Sequence, residues 1–187
     1  MSTYLVAFVV APDFKSNRDE KNNLTVWAQP LAVNLTNYAL KVGYHALNYF
    51  TSLFNESYQI DKMDMVAVPD FSAGAMENWG LITYRENYLL YDETESSDSA
   101  QQKVASTIVH ECAHMWFGNL VTPEWWGYLW LSEGFANYYQ YFATSLVIII
   151  NYNYHDYVLV VNMIINIMIS NDSLRLNPTG QCTNNIL

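Results

Sequence analysis

His110 and His114, in the stretch VHECAHMW at residues 109–116, stand four positions apart with Glu111 directly after the first. In an α-helix, residues four apart lie one turn along on nearly the same face, with Cβ atoms about 5–6 Å apart, so two imidazoles can converge on one ion. Zinc takes neutral histidine nitrogens at about 2.0–2.1 Å and, in catalytic sites, keeps one coordination position for water. Glu111 is rotated about 100° from His110 on such a helix, which suits a general base facing the water rather than a third ligand. The plain alternative is a surface helix that happens to carry two histidines. With only four histidines in the chain, the pattern is rare by chance.

Two imidazoles hold a metal weakly, so a third ligand is needed. Glu133, in LWLSEGFANYYQY, follows His114 by 19 residues. A turn and a returning second helix would bring its carboxylate back, giving a site of two histidines and one glutamate. Read alone, Glu133 would be an exposed helical carboxylate.

The surrounding sequence predicts an α+β domain, a mixed sheet followed by helices. Residues 4–10 (YLVAFVV) read as a strand rather than a secretion signal, since no basic leader precedes them and no cleavage site follows. A polar loop runs to about Asn23, and LTVWAQ forms a second short strand. Apolar residues at 3–4 spacing from Leu35 to Phe54 predict a helix between Asn34 and Asn55. KMDMVAVP is strand-like to Pro69, a turn holds Gly74 and Gly80, and LITYRENYLLY is again extended. The acidic segment from Asp92 offers N-caps for a helix through Val104, Ile108, Cys112 and Met115, ended by Gly118 and Asn119. A further helix is predicted over Leu129 to Phe142, with Trp116, Trp125, Trp126 and Trp130 as core around the two helices.

At 187 residues and 51% hydrophobic, the chain has material for about one packed domain. A net charge of −10 with eight Lys and Arg excludes a nucleic-acid partner that would need a basic face. Cys112, inside the histidine motif, reads as a buried thiol. Residues 145–170 lose Lys, Arg, Glu, Gly, Ala and Pro, and their apolar runs are interrupted by Asn and Asp, too short for a membrane span.

With GAMEN at 74–78, HECAH at 110–114, the 18-residue gap to Glu133 and WWGYLWLSEGFA around it, the chain resembles zinc aminopeptidases of the aminopeptidase N family, the insect gut forms in particular. STYLVAFVV at the start belongs to the same resemblance, which covers about residues 2–144. It implies an incomplete thermolysin-like (gluzincin) catalytic domain over 11–144. Residues 1–10 would be the last strand of a preceding β domain, and 145–187 a divergent or aberrant tail. It implies one Zn2+ ion on His110, His114 and Glu133, with Glu111 as base. Substrate binding would fall to Gly74, Ala75, Met76, Glu77 and Asn78, with Glu77 pairing with the free α-ammonium of a peptide and backbone groups around Gly74 and Ala75 holding it extended. The family's oxyanion-stabilising tyrosine lies further beyond the third ligand than Tyr152, Tyr154 or Tyr157, and the role is carried to none of them. The parent would be extracellular or at the plasma membrane. The second reading is a binding or receptor module with weak or no turnover.

Overall fold

The computed structural model describes the backbone of residues 1–151 and the side chains of residues 1–147. The expectations for Tyr152, Tyr154, Tyr157 and the remainder of the 145–187 segment lie outside the described residues.

Five strands form one mixed sheet: β1 (Lys15–Asp19), β2 (Leu24–Ala28), β3 (Met63–Val68), β4 (Ala75–Met76) and β5 (Leu81–Arg85), in the spatial order β1-β2-β3-β5-β4. The outer pairs β1/β2 and β4/β5 are antiparallel, while β2/β3 and β3/β5 are parallel. A parallel neighbour requires a crossover, and between β2 and β3 that crossover is helix α1 (Asn37–Phe54). Leu24, Val26, Met63, Met65, Ala67 and Ile82 on the central strands are fully buried or nearly so, as parallel strands covered by helices must be. β1, with sequence KSNRD, is the edge strand and largely exposed. Its charges suit an edge that must not recruit another chain. Nothing apolar marked it in the sequence, which is why it reads there as loop.

α1 begins three residues later than its periodicity suggests, because Val33–Thr36 winds first as a 3-10 turn. It ends as expected: Asn55 adopts the left-handed conformation (φ 51°) that stops a helix. Tyr38, Ala39, Val42, Gly43, Ala46 and Phe50 are its buried stripe. At Gly43 the helix comes so close to the sheet that a Cβ would collide with the Met65 side chain.

The helix carrying the histidine motif, α2, spans Asp98–His114. Ser97 caps it by accepting a hydrogen bond from the Ala100 N–H at 3.3 Å, and Asp98 places a carboxylate against the positive end of the helix. Val104, Ala105, Ile108, Val109, Cys112 and Ala113 join the strand and α1 residues in one core. The third helix, α3, covers Leu129–Asn151 and so runs past the predicted end at Phe142.

Two expectations are corrected. Residues 4–10 form no strand: Thr3–Leu5 is a 3-10 turn, and residues 6–10 pair with no strand among the described residues. A β-branched apolar run is strand-competent, but a strand also needs a neighbour with which to bond. Of the four tryptophans, only Trp116 is core. It is 3% exposed, sits against Phe50, Phe54 and Tyr58, and donates its Nε1–H to the Glu56 carbonyl at 3.0 Å. Trp125, Trp126 and Trp130 are 68%, 55% and 67% exposed. They fall in the loop before α3 and on its outer side, whereas α3 is buried along Ser132, Ala136, Ala143 and Val147.

Candidate metal centre

The two histidines lie on the last turns of α2 and their rings converge: Nε2 of His110 is 3.1 Å from Nε2 of His114. Glu133, in the second turn of α3, brings Oε2 to 3.4 Å and 3.6 Å from those same nitrogens. The opposite side of each ring fixes which nitrogen carries hydrogen. His114 Nδ1 donates to the Phe117 carbonyl at 3.0 Å, and His110 Nδ1 donates to the Gln140 side-chain carbonyl at 2.9 Å. With Nδ1 as the donor on each ring, the neutral form of each presents an Nε2 lone pair, and Glu133 adds a carboxylate oxygen.

Three electron-rich atoms in so small a triangle repel one another unless a positive charge lies among them. Two ligands at about 2.0–2.1 Å from a tetrahedral zinc are separated by about 3.3–3.4 Å, and the observed separations of 3.1, 3.4 and 3.6 Å bracket that value. The donor set therefore fits zinc. The titration behaviour of the bare site carries the same message. Burial works to lower the His114 pKa, but the Glu133 carboxylate, then Glu77 and Glu111, outweigh it and lift it to about 9. In the absence of an ion the neighbouring His110 and then His114 hold Glu133 well below the usual carboxylate range.

Ring placement depends on the backbone that follows α2. Gly118 has φ +133°, which an L side chain rarely adopts, and a Cβ there would stand 3.3 Å from His114 Nδ1. A side chain at Gly118 would therefore be strained and would crowd the ring nitrogen that the Phe117 carbonyl holds.

Glu111 is 6% exposed and Glu77 7%. Glu77, Glu111 and His114 each contribute one atom to a group whose members all lie within 4.8 Å of one another. Burial above all, with the Glu77 and Glu133 charges added and His114 opposing, raises the Glu111 pKa to about 8. A carboxyl poised near neutrality is suited to taking and returning a proton.

Residues 38–178 match the profile of the Peptidase family M1 domain. The chain belongs to peptidase family M1. Its relatives include Aminopeptidase M1-D of Oryza sativa subsp. japonica, 52% identical over 147 residues, and Aminopeptidase N of Bos taurus, 50% identical over 150 residues. Aminopeptidase A of Gloydius brevicauda is 48% identical over 147 residues. Each alignment covers 78% of this chain but only 15–17% of the relative, so the chain spans about a sixth of the length of these proteins. The family match continues past Thr144, as α3 does.

Within this M1 domain, the segment at 74–78 is carried by β4 and the bend after it. Ala75 and Met76 pair with Tyr84 and Thr83 of β5, and the outer edge of β4 faces no strand among the described residues. The Gly74 carbonyl accepts from the Arg85 N–H at 2.9 Å. Asn78 is occupied at both ends of its amide, donating to the Leu5 carbonyl and accepting from the Thr83 hydroxyl, each at 3.0 Å. Three residues that sequence reasoning did not single out complete the site. Gln140 orients His110, and it lies seven residues after Glu133, two turns along the same helix face, a spacing that could have pointed to it. Asn119 donates to the Glu77 carbonyl at 3.0 Å, tying the bend to the end of α2. Tyr4 bonds Glu77 from 73 residues away, and no local pattern announces it.

Proposed function

We propose that this chain is the metal-bearing part of a zinc aminopeptidase that releases single residues from the free N-terminus of peptides. The observation that carries the reading is the position of Glu77: a buried carboxylate within 4.8 Å of both Glu111 and His114, the latter shared with the group of His110, His114 and Glu133. An α-ammonium paired there leaves room for only one residue before the scissile bond, because the amine and the first carbonyl of a peptide are separated by a single Cα. The substrate would extend along the open edge of β4, Gly74 to Met76, by the strand-addition mode that suits any peptide sequence. Asn78 supports this segment from within, since its amide is bonded to Leu5 and Thr83.

His110, His114 and Glu133 would hold zinc, oriented by Gln140 and the Phe117 carbonyl. When bound, zinc supplies Lewis acidity toward the scissile carbonyl and toward water. Glu111 takes the proton of the attacking water and returns it to the leaving amine. Glu77 fixes the amine, so that reacting atoms meet in one orientation. The motif resemblance supports an extracellular or plasma-membrane location for the parent. No helix among the described residues is long and apolar enough to cross a membrane.

The test is turnover of leucine and alanine arylamides beside their N-acetylated counterparts by the zinc-loaded chain. Cleavage of the free-amine substrates that is lost on acetylation supports the reading. Equal cleavage of both, or stoichiometric zinc with no turnover of either, contradicts it.

A further inference from the structure

The Glu77 carboxylate is not left to find its own orientation. The Tyr4 hydroxyl donates to Glu77 Oε1 at 2.8 Å. The Tyr4 ring is itself lodged against Trp126, with centroids 5.2 Å apart and planes inclined at 46°. Its backbone is fastened on the C-terminal side, where Leu5 is 1% exposed and its carbonyl accepts from Asn78. Tyr4 is therefore anchored to the same bend it reaches across. Asn119 holds the main chain of Glu77 from the other side.

We propose that Tyr4 is a positioning residue for the Glu77 carboxylate, fixing Oε1 so that the second oxygen is presented to the α-ammonium of a peptide. This inference rests on the aminopeptidase reading above. A neutral donor is the right chemistry for the task. An Arg or Lys at this place would orient Glu77 equally well but would neutralise it and compete with the substrate's own cation, whereas a phenol leaves the negative charge intact. Burial, and after it the Glu77 hydrogen bond and charge, push the Tyr4 phenol well above its ordinary pKa. It therefore stays an O–H donor through the neutral range. The segment that supplies Tyr4 is thus part of the specificity apparatus, although it forms no strand of the sheet.

The test uses the zinc-loaded full chain as wild type, Tyr4→Phe, Glu77→Gln and the double variant. Phenylalanine keeps the ring on Trp126 and removes only the hydroxyl, and equal zinc content in all four proteins verifies the fold. Calorimetry with leucinol and with N-acetyl-leucinol, which offer no scissile bond at the position of the first carbonyl, measures the free-amine preference without relying on turnover, and leucine arylamide kinetics give KM and kcat. A hydrogen bond to a charged group corresponds to a loss on the order of tenfold or more. The expected result is a preference for the free amine that falls on the order of tenfold in Tyr4→Phe, a matching rise in KM with kcat nearly constant, and little further effect of Tyr4→Phe on top of Glu77→Gln. An unchanged preference in Tyr4→Phe where Glu77→Gln abolishes it overturns the inference and leaves the aminopeptidase reading standing. So does a fall in kcat at constant KM, or a Tyr4→Phe effect undiminished in the Glu77→Gln background. A wild type that binds leucinol and N-acetyl-leucinol equally overturns the reading itself and the inference with it.

Discussion

Helices α2 and α3 serve the same three-atom site but are held in different ways. α2 carries His110 and His114 and is buried over Val104, Ala105, Ile108, Val109 and Glu111 to His114, packed within the core that contains the sheet and α1. α3 carries Glu133 and meets the rest through a narrow strip of Ser132, Ala136, Ala143, Thr144 and Val147. Phe135 and Tyr139 add stacking on Phe117. Its other side shows Trp130, Tyr138 and Tyr141 exposed by 67%, 53% and 74%. Small residues along the buried strip allow close approach but bury little apolar area each. The placement of the histidines is therefore built by folding, whereas that of Glu133 rests on lighter packing and would gain more from a bound ion. A bound ion would bridge the firmly packed helix and the lightly packed one.

The largest effect should come from removing a ligand. His114→Ala or Glu133→Ala should abolish stoichiometric zinc, and chelation of the wild type should release hydrogen-exchange protection in α3 while leaving α2 protected. Equal loss in both helices would break the contrast. Next, Phe50→Ala strikes the packed side, where the ring is fully buried and touches Phe54, Trp116 and Tyr139. It should cost about 3–5 kcal/mol in denaturant unfolding. Gln140→Ala removes the acceptor that orients His110 and should weaken zinc binding about 10–100-fold, read by chelator competition, with the fold intact. Smallest of all, Trp130→Ala and Tyr141→Ala on the outer side of α3 should each change unfolding free energy by no more than about 0.5 kcal/mol. A cost near that of Phe50→Ala would show that this face is packed after all.

The same contrast separates what the sequence disclosed from what it concealed. The stripe of α1, the capped start of α2 and the i, i+4 histidines are local patterns tied to helix geometry, and the fold realises them. Glu133 was reachable once a turn was placed between two helices. β1 escaped notice because an edge strand of Lys, Ser, Asn, Arg and Asp carries no apolar alternation. β4 is two residues long and defined only by β5 beside it. Trp125, Trp126 and Trp130 were expected in the core because tryptophan is costly to expose, yet composition cannot say which side of a helix finds a partner. Tyr4 and Asn119 act over 73 and 42 residues through single side-chain bonds, which leave no period to read.

The central claim is that His110, His114 and Glu133 together hold one zinc ion. Zinc K-edge X-ray absorption on the chain loaded with one equivalent tests it directly. The account expects two imidazole nitrogens at about 2.0–2.1 Å and carboxylate oxygen at about 2.0–2.2 Å, with the histidine signal lost in His114→Ala. A shell with sulfur at about 2.3 Å, or a spectrum that His114→Ala leaves unchanged, would contradict it.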